Sequence, residues 1–230
     1  MHEIIRHSLN QPWTYALLDA KQRNVADEIQ EGKSKGLWIL SELAPVITLG
    51  NRIRSDHPRL QHVTLPLFET DRGGCETYHG PGQWVFFPVM KLEDLVGNPK
   101  GVRQAVEFLL KAALNVSMKY RNDVSLVLGD QAGLWTSKGK LASVGLKIKQ
   151  GIILHGISLN VFWTPESFAG INPCGLEAKP DTLFSQDKTA TLQEKDFLFQ
   201  EVGELFLSEL TTLWGVYRFK SSSYSVSFGA

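Results

Sequence analysis

The sequence predicts an α/β (α+β) fold, a single domain with a mixed, largely antiparallel sheet and packing helices. Three features carry that expectation. Three stretches space apolar residues at helical intervals. From Val124 onward, short apolar runs are parted by glycines, twice at separations short enough for hairpins. Between the first two helical stretches lies Asp71 to Pro88, DRGGCETYHGPGQWVFFP, with four glycines (Gly73, Gly74, Gly80, Gly82) and a cluster of polar groups between two apolar runs. Glycines at that density allow close backbone approach or dihedrals closed to other residues, and a plain hairpin needs fewer.

In order along the chain, Pro12 to Gln30 spaces Trp13, Ala16, Leu17, Ala20, Val25 and Ile29 as an amphipathic helix, with Pro12 suited to its first turn. LWILSEL and PVITLG follow, two short strands parted by Ala44 and Pro45. Asn51 to Gln61 is a polar loop carrying Arg52, Arg54, His57 and Arg59, a solvated surface or a contact for an acidic carrier. VTLPLFETD enters the glycine-rich stretch, and QWVFFPVMKL leaves it as a buried strand. Pro99 to Tyr120 lines up Val102, Val106, Leu109, Leu110, Ala113 and Val116 on one helical face. SLVLG, GLWTS, KLASVGLKIK and ILHGISLNVFW are predicted antiparallel strands. Thr164 to Gly170 is expected to form one helical turn, and Leu176 to Gln186 a polar loop. A third helix runs from Thr191 to Trp214, with Phe197, Leu198, Val202, Leu205, Phe206, Leu210 and Leu213 inward. Residues 1–230 are taken as one domain, ending in a serine-rich tail over 221–230 that frays.

Composition removes several function classes. Hydrophobic residues make up 43% and charged residues 21% of the 230, enough to bury a core. Lys+Arg and Asp+Glu both number 24, so no overall field draws the chain to nucleic acid or to an anionic membrane. No secretion signal and no run of about 18 apolar residues is present, so the protein is expected to be cytoplasmic, or at least not secreted by these signals. Its two cysteines, Cys75 and Cys174, form no CxxC pair and are expected to be free thiols there.

The chemistry-bearing candidates are few. Cys174 lies in NPCG, a fixed and tightly turned setting for a small side chain. A cysteine thiol is only slightly ionised at neutral pH, so a nucleophilic role requires a neighbouring cation or base, and otherwise it packs as a small hydrophobe. Lys140 opens KLASVGLK after a Ser-Lys-Gly turn. It is either a solvated charge or, beside a nucleophile, a base, acid or anion stabiliser. His79 and His155 each precede a glycine, and each is a core residue or a site residue. With the two cysteines they could be drawn as a Cys2His2 metal site, but no close Cys/His pairing of the zinc type supports one.

Taken together, RGGCETYHGPGQ (Arg72 to Gln83), GKLASVGLK (Gly139 to Lys147), HGISLNV (His155 to Val161) and INPCG (Ile171 to Gly175) resemble the lipoyl(octanoyl) transferases of the biotin/lipoate protein ligase fold. Order and spacing agree from Pro45 to Gly175. The resemblance implies transfer of an octanoyl or lipoyl group from acyl carrier protein to a lysine of a lipoyl domain, in 2-oxoacid dehydrogenase E2 subunits and the glycine cleavage H protein. It implies a Cys174–Lys140 dyad, an acyl-cysteine intermediate, no cofactor and no metal. It assigns Arg72, Gly73, Gly74, Thr77, Tyr78, His79, Gly80, Gly82, Gln83, Ser143, Val144, Gly145, His155 and Gly156 to the acyl pocket. The residues allow this chemistry on their own terms, since a thiolate takes an acyl group from a thioester and passes it to an amine without ATP.

The sequence departs from the family's pattern in three places. Cys75 stands where glutamine or another non-cysteine residue is usual, Lys147 where arginine is common, and LEAKPDTLFSQ follows Gly175 in place of aromatic-glycine and Thr-Ser-Leu text. Rival readings are an ATP-dependent lipoate or biotin ligase, an amidotransferase between carrier domains, and a non-catalytic binding module of the same fold. HGPG, where a ligase would have an aspartate after the histidine, and Cys174 itself disfavour the first.

Overall fold

The computed structural model describes residues 3–7, 13–162, 179–184 and 191–223, with backbone alone for 3–7 and 218–223. A seven-stranded sheet has the order β1-β2-β6-β10-β9-β8-β7, and a three-stranded sheet the order β4-β3-β5. The strands are β1 Glu3–His7, β2 Leu37–Ser41, β3 Val46–Leu49, β4 Leu67–Glu69, β5 Glu76–His79, β6 Gln83–Val89, β7 Ser125–Val127, β8 Gly133–Trp135, β9 Lys140–Lys149 and β10 Ile152–Asn160. The helices are α1 Tyr15–Gln30, α2 Leu92–Val96, α3 Val102–Ser117 and α4 Leu192–Ser223. Pairing is antiparallel except between β1 and β2 and between β3 and β4, so the expected mixed, largely antiparallel sheet is what forms. LWILSEL and PVITLG give β2 and β3, which belong to different sheets.

Helices α3 and α4 cover one face of the large sheet, where Trp38, Trp84, Phe86, Phe108 and Phe206 pack together. Helix α1 covers the other face with Leu18, Val25 and Ile29 against Leu37, Ile39, Val85 and Leu154. A separate cluster of Ile47, Leu49, Ile53, Leu60 and Tyr78 supports the small sheet.

Helix ends follow local chemistry. Thr14 caps α1, its hydroxyl accepting from Leu17 N at 3.3 Å. At α4 the sequence TLQE closes a reciprocal capping box: Glu194 N donates to Thr191 Oγ1 at 3.2 Å, and Thr191 N to Glu194 Oε2 at 2.8 Å. That helix continues to Ser223, so the first serines of the expected tail belong to it.

Two helical faces differ from expectation. On α1 the buried side is Tyr15, Leu18, Asp19, Gln22, Val25, Ala26 and Ile29, while Leu17 is 61% exposed. Two polar residues inside the buried stripe, Asp19 and Gln22, hide it from an apolar count, and Gln22 reaches the site described below. On α4, Phe199 is buried and Phe197 is 69% exposed. The buried ring stacks on Trp84 with centroids 4.4 Å apart, and Trp84 Nε1 donates to Phe199 O at 2.7 Å.

Gly203 makes that indole contact possible, because a Cβ there would lie 2.8 Å from the Trp84 ring. In an open helix, alanine would gain about 1 kcal/mol over glycine. Forcing a methyl into a filled core costs about 1–3 kcal/mol, so the clash wins. Gly203→Ala is therefore expected to lower the urea midpoint of unfolding, whereas Gly215→Ala, with open space at its Cβ, should leave it unchanged or raise it.

Candidate active site

A cleft opens where the two sheets meet. One wall is the loop 72–76 with Thr77 and His79 of β5, and the other is Ser143 to Gly145 of β9 with His155 to Ser158 of β10. Tyr15 of α1 and Phe87 of β6 complete the lining. Arg72 fixes the loop from below: Nε donates to Thr48 Oγ1 at 3.2 Å, Nη2 to Thr48 O at 2.7 Å and Oγ1 at 2.9 Å, and Nη1 to Gly73 O at 3.1 Å. The loop backbone is tied on both sides, Gly73 N to Leu146 O at 3.1 Å and Gly50 N to Cys75 O at 2.9 Å. Gly145 permits this approach, since a Cβ there would stand 3.0 Å from Gly73 O and 3.3 Å from Arg72 Cδ.

Both histidines line the cleft. Gln83 Nε2 donates to Tyr78 O at 3.1 Å and Asn160 Oδ1 at 2.8 Å, so its Oε1 must accept. The 2.7 Å contact from that oxygen to His79 therefore places a proton on Nδ1 and leaves Nε2 as an acceptor. Burial pushes His79 down to about 3. His155 donates from Nε2 to Asp71 at 2.9 Å and accepts at Nδ1 from the Tyr15 hydroxyl at 2.9 Å. Its backbone N donates to Gln22 Oε1 at 2.7 Å. Burial lowers its pKa against the opposing pull of Asp71. Asp71 in turn is bonded by Arg23 at 3.2 Å, and these hydrogen bonds outweigh its own burial to hold it below the usual carboxylate range. Burial also pushes the Tyr15 phenol up.

His155 has φ +59, left-handed backbone that is strained for this residue. Ile153 and Ile157 on either side pack toward α3 and α4, while the His155 side chain joins Tyr15 on the opposite face.

Of the residues expected at the pocket, Arg72, Gly73, Gly74, Thr77, His79, Ser143, Val144, Gly145, His155 and Gly156 line the cleft. Tyr78 does not; it alternates to the far side of β5 and packs with Ile47 and Leu60. Gly80, Gly82 and Gln83 also stand outside the lining and shape the turn into β6, where Gln83 orients His79. Lys140 is buried beside Gly133, its ammonium 5.2 Å over the Trp135 ring centroid. Its carbonyl accepts from Asn160 Nδ2 at 3.3 Å, which continues the hydrogen-bonded path from His79 through Gln83. Cys174 lies outside the described residues, as does the expected turn from Thr164 to Gly170.

The family model of the lipoyl protein ligase A/B catalytic domain matches residues 15–209. The chain belongs to that family. Within it, an octanoyltransferase of Magnetococcus marinus is 38% identical over 171 residues, 74% of this chain and 77% of that protein. A T. acidophilum protein solved with bound lipoic acid superposes with a TM-score of 0.62 at 11% identity, covering 95% of each chain. Lipoate-protein ligase A bound with ATP superposes with a TM-score of 0.57 at 10% identity, covering 96% of each. The fold is therefore that of a lipoate-ligase catalytic domain.

In this member of the lipoyl protein ligase A/B family, several cleft residues carry no sequence signal of their own. Tyr15 and Gln22 look like ordinary helix residues, and Asp71 borders the glycine-rich stretch without belonging to a motif. Cys75, expected as a free thiol and a departure from the family's pattern, lines the cleft. Glu42, at the end of β2, accepts from Gly82 N at 2.7 Å, and burial pushes it up to about 7. The basic loop presents less free charge than expected, because Arg52, Arg54 and Arg59 each lie within ion-pair distance of a carboxylate: Asp130, Glu69 and Glu76. Among the described residues, no group of three His, Cys, Asp or Glu side chains is placed to hold a metal ion.

The two buried histidines make stability depend on pH. Their folded pKa values lie below the ordinary 6.5, so the unfolded chain binds more protons on acidification. Stability is complete above that value and is lost below it, by up to about 1.4 kcal/mol per pH unit for each histidine kept neutral. Urea unfolding at neutral pH and at about pH 5 should show this loss. His79→Asn, which retains a donor to Gln83, should reduce the slope by about one proton; an unreduced slope would remove His79 from the account.

Proposed function

We propose that this chain transfers an octanoyl group from acyl carrier protein to a lysine of a lipoyl domain, through a thioester on Cys174, with Lys140 carrying the proton. The observation that supports this most is a cleft closed by the RGG loop onto β9, the strand that Lys140 opens, in a chain whose relative is named an octanoyltransferase. Arg72, Gly73, Gly74, Thr77, His79, Ser143, Val144, Gly145, His155 and Gly156 hold the acyl chain. The apolar share of that lining suits an alkyl chain, each buried CH₂ contributing about 0.8 kcal/mol.

The first step forms a bond between the Cys174 sulfur and the acyl carbon of the carrier thioester. The carbon–sulfur bond to the carrier breaks, and the carrier leaves as a thiol with the proton given up by Cys174. In the second step the lysine amine of the lipoyl domain attacks the acyl-cysteine, the carbon–sulfur bond breaks, and the amine's proton passes through Lys140 to the departing Cys174 sulfur, which restores the thiol. Lys179, shortly after Cys174 in the sequence, accepts from Lys140 N at 2.9 Å, a short tether compatible with the dyad. No ATP is consumed, because the donor is already activated. The acceptors are lipoyl domains of 2-oxoacid dehydrogenase E2 subunits and the glycine cleavage H protein. A relay through a free thiol needs a reducing compartment, which fits the cytoplasm. Residues 1–230 act as one catalytic domain.

Intact-mass measurement tests this directly. Octanoyl-loaded carrier alone is expected to add one octanoyl mass, removable by hydroxylamine and mapped to the Cys174 peptide, not to that of Cys75. Cys174→Ser should abolish the adduct and transfer together, and removing ATP should change neither. An adduct that survives in Cys174→Ser, or transfer that stops without ATP, would overturn the proposal.

A further inference from the structure

Several polar groups of the cleft wall are committed to their neighbours. His155 is held by Asp71 and Tyr15, His79 by Gln83, Arg72 by Thr48 and Gly73. Thr77 differs. Its residue is 7% exposed, its side chain lies on the cleft wall, and among the described residues its Oγ1 has no hydrogen-bond partner. The hydroxyl of Thr48, its neighbour across the β3–β5 pair, accepts two bonds from Arg72, so two threonines at one register have opposite fates.

A buried hydroxyl without a partner is unfavourable, and its persistence in a binding cleft points to a ligand atom that completes it. Resting on the octanoyl-transfer reading, the choice of that atom is narrow. The hydrocarbon tail offers a hydroxyl nothing, and the strong acceptor in an octanoyl thioester is its carbonyl oxygen. We propose that Thr77 donates its hydroxyl hydrogen to the acyl carbonyl oxygen. The bond exists in the bound thioester and tightens when the carbonyl becomes an oxyanion, because hydrogen bonds to charged acceptors are shorter and stronger. No proton is transferred; Thr77 keeps its hydrogen while the carbon–sulfur bonds exchange. The path His79–Gln83–Asn160 links this wall to the backbone of Lys140, so the wall that carries Thr77 is tied to the strand that the lysine opens.

The test compares acylation by octanoyl-loaded carrier in the wild type, Thr77→Val and Thr77→Ser. Thr77→Val is expected to slow acyl-enzyme formation about 100-fold, by loss of one oxyanion donor, with KM for the carrier little changed. Thr77→Ser should restore most of the rate. The free Thr77→Val protein should melt no lower than the wild type, since a methyl replaces an unsatisfied hydroxyl, so rate and stability move apart; a packing role would lower both. In acyl-enzyme carrying a ¹³C-labelled carbonyl, the stretching frequency should rise in Thr77→Val. Should valine not fold, Thr77→Ala gives the same comparisons. Acylation at the wild-type rate without the hydroxyl, or an unshifted carbonyl band, would overturn the inference. A wild type that forms no adduct would remove the transfer reading, and this inference with it, before any variant is compared.

Discussion

One backbone hydrogen bond, Gly73 N to Leu146 O, joins the small sheet's loop to the large sheet, and the cleft exists because that bond can form. It needs two stretches of backbone closer together than a side chain ordinarily allows. Gly145 supplies the space on β9, and Gly50 supplies it on the opposite side, where a Cβ would stand 2.3 Å from Gly74 O. A loop so rich in glycine loses much conformational entropy on ordering. Arg72 offsets that loss by spending its guanidinium on Thr48 and Gly73, inside the protein. Its role in this geometry is that of a bracket that holds the loop shut over an apolar slot.

The same slot keeps polar groups beside an apolar lining. Neutral histidines avoid the penalty of a buried charge, and each has both its proton and its lone pair directed by neighbours or by the cleft. Tyr15, His155, Asp71 and Arg23 form one continuous series from the slot to the surface, ending at a half-exposed ion pair. Helix α1 is what brings three of its supports, Tyr15, Gln22 and Arg23, to the site. A helix that an apolar count describes as packing is thus part of the active-site scaffold.

That difference measures what the sequence made legible. Long helices, the antiparallel half and the glycine-rich loop could all be read, because periodicity and punctuation are local signals. The cleft residues in three of the four motifs were legible through resemblance. What escaped depended on tertiary placement: Tyr15 and Gln22 from a distant helix, Glu42 under the Gly82 amide, and the parallel pairing of β1, which periodicity gives no means to see. His155 shows the reason most sharply. Strand alternation sends it with Ile153 and Ile157 toward α3, and only its left-handed backbone, invisible in a sequence of non-glycine residues, aims it into the cleft. Phe197 and Phe199 make the same point on α4, where two aromatic residues two apart cannot both face the core and the choice was made by Trp84.

Strand β9 connects these pieces to the chemistry. It begins at Lys140, and the glycine that closes the slot, Gly145, lies on the same strand. At about 3.3 Å per residue the two Cα atoms are roughly 16 Å apart. Between them Ser143 and Val144 line the cleft, while the Lys140 ammonium lies over Trp135 on the neighbouring strand. A Cβ at Gly145 would press on Gly73 O, so a change at this end of the wall acts on the bond that ties the loop to the large sheet.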